Sequence, residues 1–382
     1  MEKQTHDDDT ARQLRRIHRR EEMKRRKQRQ ALFRQFCMAG ILILIAVIIT
    51  FVFMNKREKD ETSGSQHTTT ADRIPSSNTI SVSQADISLN PEQEISENAL
   101  EDDTPVEEEP PFYQYTLTDD TLALTDEITS SYCVFVDLNR KTILAGKREK
   151  ERMIPASMTK VLTLLVAVEH MSSLDGSFTI TREITDYCYE NDCSAAGFEK
   201  EETVSVKDLL YGTILPSGAD AALGLAFYTA GSQEAFVELM NEKLEELGLS
   251  ETSHFTNCVG IFDDNHYSTA YDMAVIMNAA INNEICREVL CAHTYKTSLT
   301  EQHPEGILLS NWFLRRIEDK DTKAEVICGK TGYVIQSGSC AVSYGADNTG
   351  TEYICVTADG SSQWTCINDH AGLYKRFSDP GE

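Results

Sequence analysis

Ser157-Met158-Thr159-Lys160 is a stretch of this chain whose residue types and spacing could do chemistry. Residues three apart share a helix face, so the Lys160 amine can reach the Ser157 hydroxyl. A serine hydroxyl is a weak nucleophile that needs an adjacent base, and a neutral lysine amine can serve. The same residues also read as an ordinary helix start, with Ser157 capping after Pro155 and Lys160 in solvent. Pro216-Ser217-Gly218-Ala219-Asp220 reads two ways as well. It is either a loop presenting a hydroxyl, or a capping box in which Ser217 and Asp220 open a helix over 220–230. Lys330-Thr331-Gly332 follows the apolar strand that starts at Glu325. Glycine there lets backbone approach closely, while Lys330 and Thr331 offer a cation and a hydroxyl to an anion. The bland alternative is a strand end with a surface lysine. What favours chemistry is the ordered set: Ser-x-x-Lys on a helix, Ser-Gly-x on a loop, Lys-Thr-Gly on a strand.

The elements that must position these residues are legible from hydrophobic period. Residues 133–138 and 141–146 read as two strands joined by an Asn139-Arg140 turn. Helical patterns follow at 158–170, 206–214, 220–230, 232–247 and 270–282. Strands return at 325–331, 340–346 and 352–358, and a last helix covers 363–377. Strands at both ends with helices between them predict an α+β domain whose sheet joins the N- and C-terminal parts of the chain.

The domain so delimited is only part of the 382 residues. The chain carries 36 Lys+Arg against 61 Asp+Glu, a net charge of −25, and 41% apolar residues. That composition supports a sizeable core, and its acidity argues against nucleic-acid binding, which needs a basic face. The charge is unevenly spread: residues 1–35 carry a net +6 and residues 57–111 a net −11. Between these blocks, residues 36–54 contain no charge, and nineteen residues at 1.5 Å rise span about 30 Å, the thickness of the hydrocarbon core. The apolar run is longer than the roughly 7–15 residues usual in a signal peptide and no small-x-small cleavage site follows, which favours a retained anchor. The basic leader, with Arg12, Arg15, Arg16, Arg19 and Arg20, sets a cytoplasmic N-terminus and puts everything after Met54 outside. The stretch after the anchor is rich in Ser, Thr, Glu and Asp, with no apolar periodicity, and reads as a disordered spacer. No internal repeat is visible. The expected organisation is therefore a basic cytoplasmic tail over 1–35, a transmembrane helix over 36–54, an acidic spacer over 55–114 and a catalytic domain over 115–382.

With these motifs in place, the chain resembles the serine-type D-alanyl-D-alanine carboxypeptidases, the low-molecular-mass penicillin-binding proteins. The likeness runs from about Asp119 to Phe377 and extends beyond the three motifs. Pro155-Ala156-Ser157-Met158-Thr159-Lys160 matches the extended nucleophile motif. Met240-Asn241-Glu242-Lys243, Leu247-Gly248-Leu249, Thr252, Phe255, Asn257, Gly260 and His266-Tyr267-Ser268-Thr269-Ala270-Tyr271-Asp272 match the stretch after the middle helices. The resemblance implies a β-lactamase/transpeptidase-like α+β fold, a mostly antiparallel sheet flanked by helices with a helical subdomain. It implies Ser157 as acyl-accepting nucleophile, Lys160 as its base, and Ser217 with Lys330 as the proton relay toward the departing D-alanine. Lys330, Thr331 and Gly332 would hold the substrate carboxylate, and the backbone N–H groups of Ser157 and Tyr333 would form the oxyanion hole. The implied substrate is a peptidoglycan stem peptide ending in D-Ala-D-Ala, β-lactams are implied as covalent inhibitors, and no cofactor or metal is implied. One position departs from the pattern. The family usually has Asn two residues after the second-motif serine, where this chain has Ala219.

Two rivals share the motifs: a catalytically weak penicillin-binding sensor or scaffold, motivated by Ala219, and a class A-like β-lactamase, which needs a further carboxylate to activate the deacylating water. The eleven cysteines invite other stories. Cys37 falls in the anchor, and the other ten lie where disulfides can persist. Cys188 and Cys193 are the best local pair for a disulfide, while Cys133, Cys328, Cys340 and Cys355 on strands read as small buried apolar residues. Cys286-x4-Cys291-x-His293 could ligate a metal, but no matching second pair follows and there is no His-Glu-x-x-His.

Overall fold

The computed structural model describes residues 113–378. The expected tail over 1–35, the anchor over 36–54 and nearly all of the spacer over 55–114 lie outside the described residues. No helix among the described residues is long and apolar enough to cross a membrane.

The domain begins with strands β1 (Thr116–Ala123), β2 (Tyr132–Asp137) and β3 (Thr142–Lys147), a single 3-10 turn at Ala156–Thr159 and helix α1 (Lys160–His170). Then come β4 (Ser177–Thr179), α2 (Arg182–Glu190), β5 (Thr203–Ser205), α3 (Val206–Ile214), α4 (Ala219–Ala230), α5 (Gln233–Glu246), α6 (Ala270–Asn282) and α7 (Glu284–Leu290). The chain returns through β6 (Thr294–Lys296), β7 (Leu308–Ser310), the single turn α8 (Leu314–Ile317), β8 (Glu325–Val334), β9 (Gly338–Ala346), β10 (Glu352–Gly360) and α9 (Gln363–Phe377).

Six strands form one sheet in the order β1-β3-β2-β10-β9-β8. All neighbours are antiparallel except β1 and β3, so the sheet is mixed. Both ends of the chain build it, because β2 pairs with β10 through Val134↔Val356 and Phe135↔Cys355. Side chains alternate across a strand, and the core divides accordingly. Val134 and Val136 face the large cluster shared with α1, α3, α4 and α6, while Cys133 and Phe135 face Leu373 and Tyr374 of α9. The sheet is thus covered by helices on both faces, which explains why β2, β9 and β10 read as near-continuous apolar runs.

Local signals start the helices where propensity expects them. Ser205 and Asp208 form a reciprocal capping box on α3, Thr269 caps α6 by accepting from Asp272 N, and Ser362 caps α9 by accepting from Thr365 N. The capping box that Ser217 and Asp220 could alternatively have formed does not exist. Helix α4 begins at Ala219 with Gly218 as N-cap and no side-chain cap. Ser157 caps nothing either, since it sits inside the 3-10 turn.

The cysteine reading needs two corrections. Cys188 and Cys193 are free thiols, whereas Cys328, read as a packing residue, is bridged to Cys291. Cys133, Cys340 and Cys355 are buried free thiols. The bridge removes Cys291 from any metal set, and His293 faces Glu318 at 3.4 Å.

Candidate active site

Three segments converge on Ser157. The first is its own 3-10 turn, where Ala156 holds φ at +48°, a left-handed conformation sparsely populated by residues with a Cβ. The second is β8: a methyl on Gly332 would stand 2.9 Å from the Ser157 backbone nitrogen and 3.0 Å from the Pro155 carbonyl, so only glycine lets the strand lie against the turn. The third is the loop at 257–261. Its Gly260 has φ +78°, and a Cβ there would fall 2.0 Å from the Ala156 carbonyl oxygen. The sequence reading had reserved the Lys-Thr-Gly glycine for a ligand; the structure shows it first serving the approach of strand to turn.

The Lys160 ammonium or amine lies one helical turn from Ser157, as the spacing predicts. Nζ is 3.2 Å from Ser157 Oγ and donates to the Val259 carbonyl at 2.6 Å. Lys330, on β8, donates from Nζ to Ser217 Oγ at 2.8 Å and to the Thr331 carbonyl at 2.6 Å. Both lysines are buried, at 2% exposure each, whereas Ser157, Ser217 and Thr331 are partly exposed. Three hydroxyls therefore rim the site, with two amines set beneath them.

Burial is the main electrostatic fact of the site. Desolvation disfavours a charged ammonium, and it lowers Lys160 from the ordinary lysine value to about 8, against the opposing pull of Cys193, Cys258, Cys188 and Asp220. Lys330 is held well below the lysine range, by burial first and by the charge of Lys160 second. Burial carries the neutralisation of Lys160, and the charge of Lys160 in turn weighs on Lys330, so the two amines titrate as a pair.

Ser217 owes its position to backbone. It sits between α3 and α4 with φ +62°, and the strap at 194–198 braces the turn that follows. Ala219 N donates to the Ser194 carbonyl at 2.8 Å. The buried Asp220 carboxylate accepts from the backbone nitrogens of Ala196, Gly197, Phe198 and Ala221. Tyr333 follows Gly332 on β8 and is 64% exposed, so its phenol is not packed into the site.

Two residues that sequence reasoning quoted only as part of a likeness also touch this machinery. Asn257 Oδ1 accepts from the nitrogens of Val259, Gly260 and Ile261 at 3.2, 2.7 and 3.2 Å. His266 Nδ1 accepts from Thr256 N at 3.1 Å, which leaves its Nε2 proton to bond Thr159 Oγ1 at 2.8 Å. The available signal was an Asn three residues before a Gly, which marks a side chain closing a tight loop. Among the described residues no cluster of His, Cys, Asp and Glu could hold a metal ion.

A family model described as D-alanyl-D-alanine carboxypeptidase matches residues 119–362. The chain is 33% identical over 178 residues to the D-alanyl-D-alanine carboxypeptidase DacF of Bacillus subtilis, covering 47% of this chain and 45% of that protein. It is 35% identical over 194 residues to DacD of Escherichia coli, covering 48% and 49%. The chain thus spans about half the length of the curated relatives it matches. The crystal structure of the Streptomyces K15 DD-transpeptidase superposes with a TM-score of 0.59 at 27% identity, covering 66% of this chain and 99% of that one.

Proposed function

This chain belongs to the D-alanyl-D-alanine carboxypeptidase family, and on that premise we propose that it is a serine D,D-carboxypeptidase acting on peptidoglycan stem peptides that end in D-Ala-D-Ala. The observation that carries this reading is the pair of buried amines, each against a serine hydroxyl: Lys160 on Ser157 and Lys330 on Ser217. The substrate carboxylate docks at Lys330 and Thr331. Its negative charge favours the ammonium form of Lys330, which by repulsion favours the neutral amine of Lys160. Lys160 then accepts the Ser157 proton as Oγ attacks the penultimate D-Ala carbonyl. The backbone N–H groups of Ser157 and Tyr333 receive the developing oxyanion. Lys330 protonates the departing D-alanine amine through the Ser217 hydroxyl, and water hydrolyses the ester on Ser157. A β-lactam presents a carboxylate and a strained carbonyl to the same groups, and acylates Ser157.

We extend the proposal to location: the segment over 36–54 anchors the chain, the basic tail over 1–35 stays in the cytoplasm, and the domain over 115–382 works outside the membrane at the end of the acidic spacer. The support is the charge and apolar pattern of the sequence.

One observation favours a second reading, a weakly catalytic penicillin-binding sensor: Ala219 puts a methyl where an amide was expected. A class A-like β-lactamase is disfavoured, because Met240-Asn241-Glu242-Lys243 and Leu247-Gly248-Leu249 resemble the carboxypeptidases and the Asp220 carboxylate is engaged by four backbone N–H groups. The test is steady-state release of D-alanine from a D-Ala-D-Ala peptide by the full chain in detergent, beside Ser157→Ala. Turnover lost in Ser157→Ala supports the carboxypeptidase; penicillin labelling without peptide turnover supports the sensor; equal labelling of both proteins sinks the nucleophile assignment.

A further inference from the structure

A neutral amine has two N–H donors and one lone pair, so a lysine acts as a base only when its donors are held elsewhere and the lone pair faces the hydroxyl. Lys160 has one such holding contact besides Ser157, the Val259 carbonyl at 2.6 Å. The orientation of the base therefore depends on how firmly the Val259 carbonyl is placed.

Asn257 places it. Its side chain is 5% exposed, and Oδ1 collects the three successive nitrogens of Val259, Gly260 and Ile261 while Nδ2 donates to the Ile261 carbonyl at 3.1 Å. The side chain thus closes the loop on itself around the residue whose carbonyl meets Lys160. Thr163, one turn along α1 from Lys160, donates to the neighbouring Cys258 carbonyl at 2.7 Å, so the loop is tied to the helix that carries the base. Gly260, packed on Ala156, fixes the other side.

We propose that Asn257 is a positioning residue for Lys160: its amide fixes the loop whose Val259 carbonyl keeps the amine turned toward Ser157. The inference rests on the reading of Lys160 as the base of Ser157. Without Asn257 the carbonyl is free to swing out. The Lys160 N–H groups then turn toward Ser157 Oγ as donors, and the hydroxyl can no longer give up its proton to the amine. Water also reaches the amine and favours its charged form. The other charged or titratable groups around Lys160 are Lys330 on β8, Asp220 on α4, Cys188 on α2, Cys193 after it, Cys258 and His266. Of these Asn257 touches His266, its Nδ2 lying 3.3 Å from His266 Nδ1.

The experiment is the pH profile of acylation of the full chain by a labelled penicillin, for wild type, Asn257→Ala, Asn257→Asp and Thr163→Val. Asn257→Ala should lower the plateau rate about 10²-fold, the scale of a misplaced catalytic group, and move the acidic limb up by about one pH unit. Asn257→Asp keeps the acceptor oxygen and should recover the plateau to within about threefold. Thr163→Val, which leaves the asparagine in place, should move the limb the same way by less. It also serves if Asn257→Ala does not fold. An unmoved limb in both Asn257→Ala and Thr163→Val, or in Thr163→Val alone where the other is unfolded, overturns the inference. So does a tenfold faster acylation in Ala219→Asn, which would mean the orienting contact had been missing. If wild type itself is not labelled, the underlying reading of Ser157 and Lys160 fails, and the inference with it.

Discussion

Lys330 Nζ donates to Ser217 Oγ at 2.8 Å across 113 residues of sequence. One partner sits on the edge strand of the sheet and the other on a turn between two helices, so the bond closes the site between the two parts of the domain. The Ser217 backbone is left-handed, a conformation that costs roughly 1–2 kcal/mol for a residue with a Cβ. What the site uses at this strained position is the hydroxyl that accepts from Lys330. Ser217→Gly should therefore fold with stability within about 1 kcal/mol of wild type, since glycine relieves the strain while loosening the unfolded chain. Peptide turnover should nevertheless fall about 10²-fold, the typical share of a positioned proton-transfer group. Thermal unfolding and D-alanine release on the same sample check both halves.

Burying Lys160 has a thermodynamic consequence. Its folded-state value of about 8 lies below the value near 10.4 expected of the unfolded chain, so between these pH values the unfolded chain binds more protons. The group is therefore destabilising at and below pH 8, by about 3 kcal/mol at most, and the penalty is relieved as pH rises through 10.4. Lys160→Met keeps the volume and removes the charge, at the expense of an unpaired Val259 carbonyl. It should unfold at a higher temperature than wild type at pH 7 and lose most of that advantage by pH 10, while penicillin labelling disappears. Calorimetry at the two pH values measures the difference; a variant less stable than wild type at both would show that the carbonyl contact outweighs the desolvation.

The parts of the site legible in sequence were those written in local chemistry. Helical spacing puts Lys160 under Ser157, and glycine at 332 signals a close approach. The strands β2, β9 and β10 and the helices α3, α6 and α9 are readable because both the apolar period and the caps agree on them. What escaped reading lacked such signals. Strand β1 is almost wholly exposed and pairs parallel to β3, so its sequence, TLTDDTLA, carries no buried alternation. Helix α2 buries only Ile184 and reads as a polar loop. The Cys291–Cys328 bridge joins a helix end to a strand and depends on tertiary proximity, which no spacing encodes. The actual partners of Asp220 were hidden for a related reason: the strap at 194–198, which claims its carboxylate, approaches from 22 to 24 residues away.

Acid should unfold the domain through two histidines. His266 is 1% exposed and His370 fully buried, and desolvation lowers both to about 3. The unfolded chain takes up these protons near 6.5. Their contribution is fully present above that value and is lost as pH falls from 6.5 towards 3, at up to about 1.4 kcal/mol per pH unit for each. His370 lies between Ser343 Oγ at 2.8 Å and Thr357 Oγ1 at 3.1 Å, away from the catalytic lysines. His370→Gln should lower stability at pH 7 yet flatten its fall between pH 6 and 4, roughly halving the slope due to the pair. Urea unfolding at pH 7, 6, 5 and 4 gives the slopes; parallel curves for variant and wild type would remove His370 from the account.

The disulfide separates stability from catalysis. Cys291 ends α7, and Cys328 lies on β8 two residues before Lys330, so the bridge could either hold the domain together or aim the lysine. At a sequence separation of 37, loop-closure entropy assigns the bridge about 4 kcal/mol. The same two elements are also tied by Asn311, whose Nδ2 donates to the Gly329 carbonyl at 3.1 Å and to the Leu290 carbonyl at 3.4 Å. Phe313 closes the gap beneath: a Cβ on Gly329 would sit 2.1 Å from its ring, so the strand is already seated on the aromatic. Local geometry at Lys330 is thus determined twice without the sulfur. Cys291→Ser should lower stability by about 2–4 kcal/mol, yet leave the acylation rate at 25 °C within about twofold of wild type. Calorimetry and penicillin labelling of the folded fraction read the two effects independently. A folded Cys291→Ser protein whose labelling fell tenfold or more would make the bridge, not Asn311, the element that sets Lys330 against Ser217.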